Sequence, residues 1–92
     1  MSSNSEKALL KCDVSIGMFP EERAVKVFDF RGDIVEMFAP ERSILDNRLL
    51  VTVLGRDDDG AAWVTLPAMP FNFGTVIVVR TDDLAALDAS KQ

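Results

Sequence analysis

Apolar residues recur at every second position through short runs of this chain, and that period calls for extended backbone. Leu10, Cys12, Val14 and Ile16 fall on one side of a strand, with Lys11, Asp13 and Ser15 on the other. Successive side chains of a strand point to opposite faces, so this alternation marks a half-buried strand. Gly17 closes the run, and Met18-Phe19-Pro20-Glu21-Glu22 reads as a loop. Similar runs follow at 24–30, 33–38, 49–54, 61–66 and 75–80. Together they predict about six strands.

The connections are short. Arg31-Gly32 offers a tight hairpin turn, and the loop from Gly55 to Gly60 combines glycines for positive φ with turn-stabilising aspartates. Pro40 breaks the sheet and is well placed to start a helical turn near 40–46. Near the end, Thr81 caps a short C-terminal helix, with Asp82 and Asp83 at its positive pole and Leu84 and Leu87 on one face. No connection reaches the dozen or more residues that a parallel crossover needs. The expected fold is therefore mainly β: a small antiparallel β-barrel or roll, with a helical turn near 40–46 and a C-terminal helix. Residues 1–7 read as a disordered N-terminal tail, and 8–92 as a single small β-rich domain.

Composition narrows the function. An apolar fraction of 48% over 92 residues is high for a domain that is mostly surface, so some apolar area is exposed or covered by a partner. A net charge of -5 opposes sequence-independent nucleic-acid binding and attraction to anionic membranes. One cysteine allows no internal disulfide, the start is polar, and no apolar stretch reaches the roughly 18 residues that span a bilayer. A cytoplasmic setting is expected.

The chain has no histidine and no tyrosine. Its one thiol, Cys12, belongs to the inward set, away from any base that would activate it. Asp57-Asp58-Asp59-Gly60 lacks the alternating ligands and terminal glutamate of a calcium loop, and reads as a hairpin tip. Arg31-Gly32-Asp33 spells an adhesion tripeptide, but turn geometry accounts for these residues. Asp13-Val14-Ser15-Ile16-Gly17 is one residue short of the Asp-x-Ser-x-x-Gly element of PilZ domains. The paired arginines that should precede that element are absent, so the segment reads as a strand ending at a glycine turn. Adjacent Glu21 and Glu22 read as hydrated surface. No catalytic residue, cofactor or metal is expected.

What remains is an excess of apolar surface. Leu49, Val51 and Val53 make one face of their strand, yet Leu50 and Leu54 lie on the other. Pairing Leu54 with Ala61 would place Trp63 beside them. The connector Pro67–Gly74 and the terminal helix are one possible cover for this second face. A partner is the other, and tryptophan is typical of interface anchors. Met18-Phe19-Pro20 and the connector's Phe71 and Phe73 are unusually apolar for loops, which normally cross a wet surface. The candidate interface residues are therefore Trp63, Phe71 and Phe73, supported by Met18, Phe19, Leu50 and Leu54. The expected function is non-enzymatic: protein-protein association, as a homo-oligomer or a subunit of a larger assembly. The alternative is a small-molecule or nucleotide ligand-sensing domain.

Overall fold

The computed structural model describes residues 6–71 and 74–87. Nine short strands appear among them: β1 (Glu6–Lys11), β2 (Asp13–Ile16), β3 (Glu22–Phe28), β4 (Ile34–Pro40), β5 (Ile44–Leu45), β6 (Arg48–Arg56), β7 (Ala61–Thr65), β8 (Val76–Arg80) and β9 (Leu84–Ala86). All pairings are antiparallel. The larger sheet runs β8-β7-β6-β1-β9, with β5 also paired to β6, and the smaller runs β2-β3-β4. The mainly β, antiparallel expectation holds. The closed barrel does not: the larger sheet ends at β8 and β9 and the smaller at β2 and β4, and these edges do not pair with one another.

The turn between the sheets lies at Cys12. The alternating run is one strand in sequence but two in space, because β1 pairs with β6 while β2 pairs with β3. Leu10 is fully buried, Cys12 and Val14 are half-buried, and Ile16 is 90% exposed beyond the edge of the core. The inward set thus loses its last member. At the start of the run, β1 takes in Glu6 and Lys7, which were expected in the tail.

The inner faces of both sheets share one core. Ala8, Leu10, Leu49, Val51, Val53, Ala62, Val64, Ile77 and Val79 come from the larger sheet. Val25, Val27, Val35, Met37 and Ala39 come from the smaller. Burying each large side chain contributes about 1.5–3 kcal/mol, so this shared layer holds the two sheets together.

Two hairpins use the same device. In 29–33, the Asp29 carboxylate accepts the N–H groups of Arg31 (2.9 Å) and Asp33 (2.8 Å), and Gly32 takes φ 90°. In 57–61, Asp57 accepts from Asp59 (2.8 Å) and Ala61 (3.1 Å), and Gly60 takes φ 87°. Both loops also hold the β8 region, through Phe30 N–H to Val78 O (2.7 Å) and Thr81 N–H to Gly60 O (2.8 Å). The roles of Asp57 and of Arg31-Gly32-Asp33 in the turns are thereby accounted for.

No C-terminal helix forms among the described residues. Thr81–Asp83 is a single 3-10 turn, and Leu84–Ala86 continues as β9 along β1. Leu84 and Leu87 have helical spacing, but the open edge of β1 offers a backbone ladder, and Leu84 opposite Leu10 packs against the core. The helical turn near 40–46 is reduced to a 3-10 turn at Glu41–Ser43. The rest of that segment is β5 and the two-residue turn Asp46-Asn47. Both turn residues have positive φ (56° and 62°), the requirement of a tight hairpin and a conformation that Asp and Asn tolerate.

Candidate functional site

Antiparallel partners project to the same side of a sheet, so the register identifies every outward residue. On the larger sheet Val53 pairs with Val64, both inward, and Trp63 lies opposite Gly55. Leu54 therefore does not pair with Ala61. A bulge between Val53 and Gly55 re-aims it, and it projects outward alongside Trp63. Gly55 leaves room for the indole: a Cβ there would sit 3.8 Å from Trp63 Cε3. Leu50 pairs with Leu9 and Trp63 with Val78, and Thr65 with Val76, so Leu9, Val76 and Val78 join this face.

The described parts of the expected covers of this face lie elsewhere. Residues 81–86 form a turn and an edge strand. In the connector, Phe71 N–H bonds to Glu36 O of β4 at 3.0 Å, which carries Phe71 to the smaller sheet. Trp63 remains 38% exposed, and Leu54 and Val76 are more so.

The charged outward residues described on this sheet are all of one sign. Lys7, Lys11, Arg48 and Arg80 occupy outward positions on the larger sheet, and among the described residues no carboxylate does. Lys7 donates to Thr52 Oγ1 (3.1 Å), and the Arg80 guanidinium lies 5.5 Å from the Phe30 ring centre. Lys11 and Arg48 stand directly opposite each other. Like charges in that position are destabilising unless something neutralises them.

The smaller sheet presents a different outward face. Asp13, Lys26 and Glu36 form one row across its three strands, with Lys26 Nζ 3.9 Å from Glu36 Oε2. Glu22, Phe28, Ile34 and Phe38 occupy other outward positions. Phe71 closes edge-to-face on Phe38, with ring centres 5.4 Å apart and planes at 68°, and remains 57% exposed. Asp13, Ser15, Lys26, Glu36, Phe38 and Phe71 line an open groove of about 480 Å³. A second groove on the far side of Phe38 is lined by Phe19, Pro40 and Arg42.

The sequence-predicted interface residues thus separate. Leu50, Leu54 and Trp63 share the outward face of the larger sheet, as the alternation implied. Phe71 belongs to the smaller sheet. Met18 and Phe19 are exposed in the loop between β2 and β3, and Phe19 reaches the Phe38 side of that sheet. Arg23 fixes the loop, donating to the carbonyls of Pro20 (3.1 Å) and Glu22 (3.0 Å) while paired with Glu41 (2.9 Å). Phe73 lies outside the described residues. Sequence reasoning missed Phe38, which joins the two grooves, and the cations at Lys7, Lys11, Arg48 and Arg80. Strand parity marks the cations as outward, but only the pairing register gathers them on one surface.

Cys12 sits half-buried at the corner between the sheets, with its thiol 3.5 Å from Asn47 O. Burial, reinforced by the neighbouring Asp13 carboxylate, pushes its pKa up to about 11. The thiol is protonated at neutral pH, which suits a packing role. Among the described residues no helix is long and apolar enough to cross a membrane.

No protein-family model, curated protein or solved structure matches this chain. What defines its class is the architecture: a mainly β chain of two antiparallel sheets around one core.

Proposed function

We propose that this chain is a non-enzymatic domain that works by association, with the outward face of the larger sheet as its contact surface. The observation that carries this reading is the cluster of Trp63, Leu54, Leu50, Leu9, Val76 and Val78 on one outward face, away from both segments expected to cover it. Aromatic residues are favoured at interface centres, and covering the exposed parts of several apolar side chains, each worth up to about 1.5–3 kcal/mol on full burial, helps hold a complex. Trp63→Ala tests it. Sedimentation velocity should show weakened association while circular dichroism keeps the wild-type spectrum. A variant that unfolds, beside a wild type monomeric at every concentration, would place the indole in a structural role and overturn the reading.

The open groove beside Phe38 and Phe71 supports a second reading, a ligand-sensing domain for a small or nucleotide-like molecule. Saturable thermal stabilisation by a metabolite or cyclic nucleotide would favour it, and loss of that stabilisation in Phe71→Ala would place the ligand in the groove.

A further inference from the structure

We infer that the two outward faces are complementary halves of one contact, so that copies of this chain dock head to tail, larger sheet on smaller. The inference rests on the association reading above and adds the occupant. In a chain with 15 acidic and 10 basic residues, the outward strand positions described on the larger sheet carry four cations and no acid: Lys7, Lys11, Arg48 and Arg80. Those of the smaller sheet carry three acids, Asp13, Glu22 and Glu36, and one cation, Lys26. Both faces also expose apolar area, through Trp63, Leu54 and Val76 on one and Phe28, Ile34 and Phe71 on the other.

A two-fold dimer through the larger sheets would set cations against a surface with no acid to meet them. The smaller sheet of a second copy offers both the missing charge and the apolar area. It would also neutralise the Lys11–Arg48 pair. Opposed potentials of this kind set register and accelerate encounter, and they weaken with salt. Because the two sheets share an inner core, their outward faces point away from each other. Each copy then keeps one face open, which is the geometry of rings or open chains.

The test is complementation, read by sedimentation velocity up to about 1 mM protein, a range that detects even millimolar affinity. One variant carries Lys11→Glu with Arg48→Glu and keeps the smaller-sheet face. The other carries Asp13→Asn with Glu36→Gln, which removes the acids without creating reversed ion pairs, and keeps the larger-sheet face. The altered larger-sheet face becomes electroneutral, so it does not attract the altered smaller-sheet face. Circular dichroism checks that both fold.

The wild type should grow beyond dimers as concentration rises and shrink as salt is added. Each variant alone should stay monomeric at concentrations where the wild type associates, and an equimolar mixture should form a complex that stops at two chains. A wild type that stops at a dimer, abolished by the Lys11/Arg48 variant and unaffected by the Asp13/Glu36 variant, overturns the head-to-tail contact but leaves the larger sheet as the interface. A wild type that is monomeric throughout overturns self-association. Trp63→Ala with an independent partner then decides the broader reading.

Discussion

The outward faces of the two sheets differ in both charge and texture, although one core lies behind them. The larger sheet exposes aliphatic residues and a tryptophan in a cationic frame, with threonines at its centre. The smaller exposes aromatic residues in an acidic frame, where Lys26 and Glu36 already pair across strands. Inside, both sheets contribute the same kind of surface: valine and alanine with leucine and isoleucine from the larger sheet and methionine from the smaller, all buried. The inward positions are constrained by packing alone and converge on similar residues. The outward positions are free to differ, so their divergence carries the information about what each face meets.

The comparison breaks first if the core is not shared. Leu10→Ala in the larger sheet and Met37→Ala in the smaller should each cost about 2–5 kcal/mol and lower the midpoint of one common denaturation transition. Two separate transitions, each sensitive to one substitution, would mean that the sheets are independent. A smaller effect is expected at the tip that orients Phe19. A Cβ on Gly17 would lie 2.6 Å from the Glu22 carbonyl oxygen, so Gly17→Ala must shift backbone and should cost about 1–3 kcal/mol by urea unfolding.

The two aspartate-held hairpins sharpen the contrast between shared and private features. Asp29 and Asp57 make matching bonds, so Asp29→Ala and Asp57→Ala should each cost about 1–2 kcal/mol. Strongly unequal losses would mean that the loops are held by different means.

The smallest effect concerns Cys12, at the corner where the sheets part. Its raised pKa favours the protonated thiol in the folded state. That contribution to stability is complete below pH 9.0 and is lost as pH rises through about 11. Iodoacetamide should modify the folded protein slowly at pH 8 and the urea-unfolded chain much faster. Equal rates would show that the corner does not shelter the thiol.

The strands were largely legible from alternation, since runs at 24–30, 33–38, 49–54, 61–66 and 75–80 correspond to β3, β4, β6, β7 and β8. The corner at Cys12 was not. Period-two alternation continues unbroken through a change of sheet, so Leu10 to Ile16 looks like one strand even though its halves pair with β6 and β3. The end of the chain misled for a different reason. Local spacing of Leu84 and Leu87 favours a helix, and the open edge of β1, formed far away in sequence, outweighs it. The turn at Asp46-Asn47 left a clearer trace, because both residue types accept positive φ, but the proline before it drew attention to a helix instead.

The candidate surface was half legible. Parity put Leu50 and Leu54 on one face, and an expected Leu54–Ala61 pairing put Trp63 beside them; that pairing does not form, yet the bulge leaves all three on the outward face. Parity could not show that four cations gather on the same face, nor that Phe71 joins Phe38 on the other sheet, because both facts depend on pairings between distant segments.

The most direct measurement uses the chain's single tryptophan. Trp63 lies within the outward face of the larger sheet, so its emission reports whether a second copy covers that face. As concentration rises in low salt, the emission maximum should move to shorter wavelength, and about 0.5 M salt, which screens charges beyond a few ångströms, should reverse the shift. An emission maximum that stays fixed while larger species form would place the contact elsewhere and contradict the account.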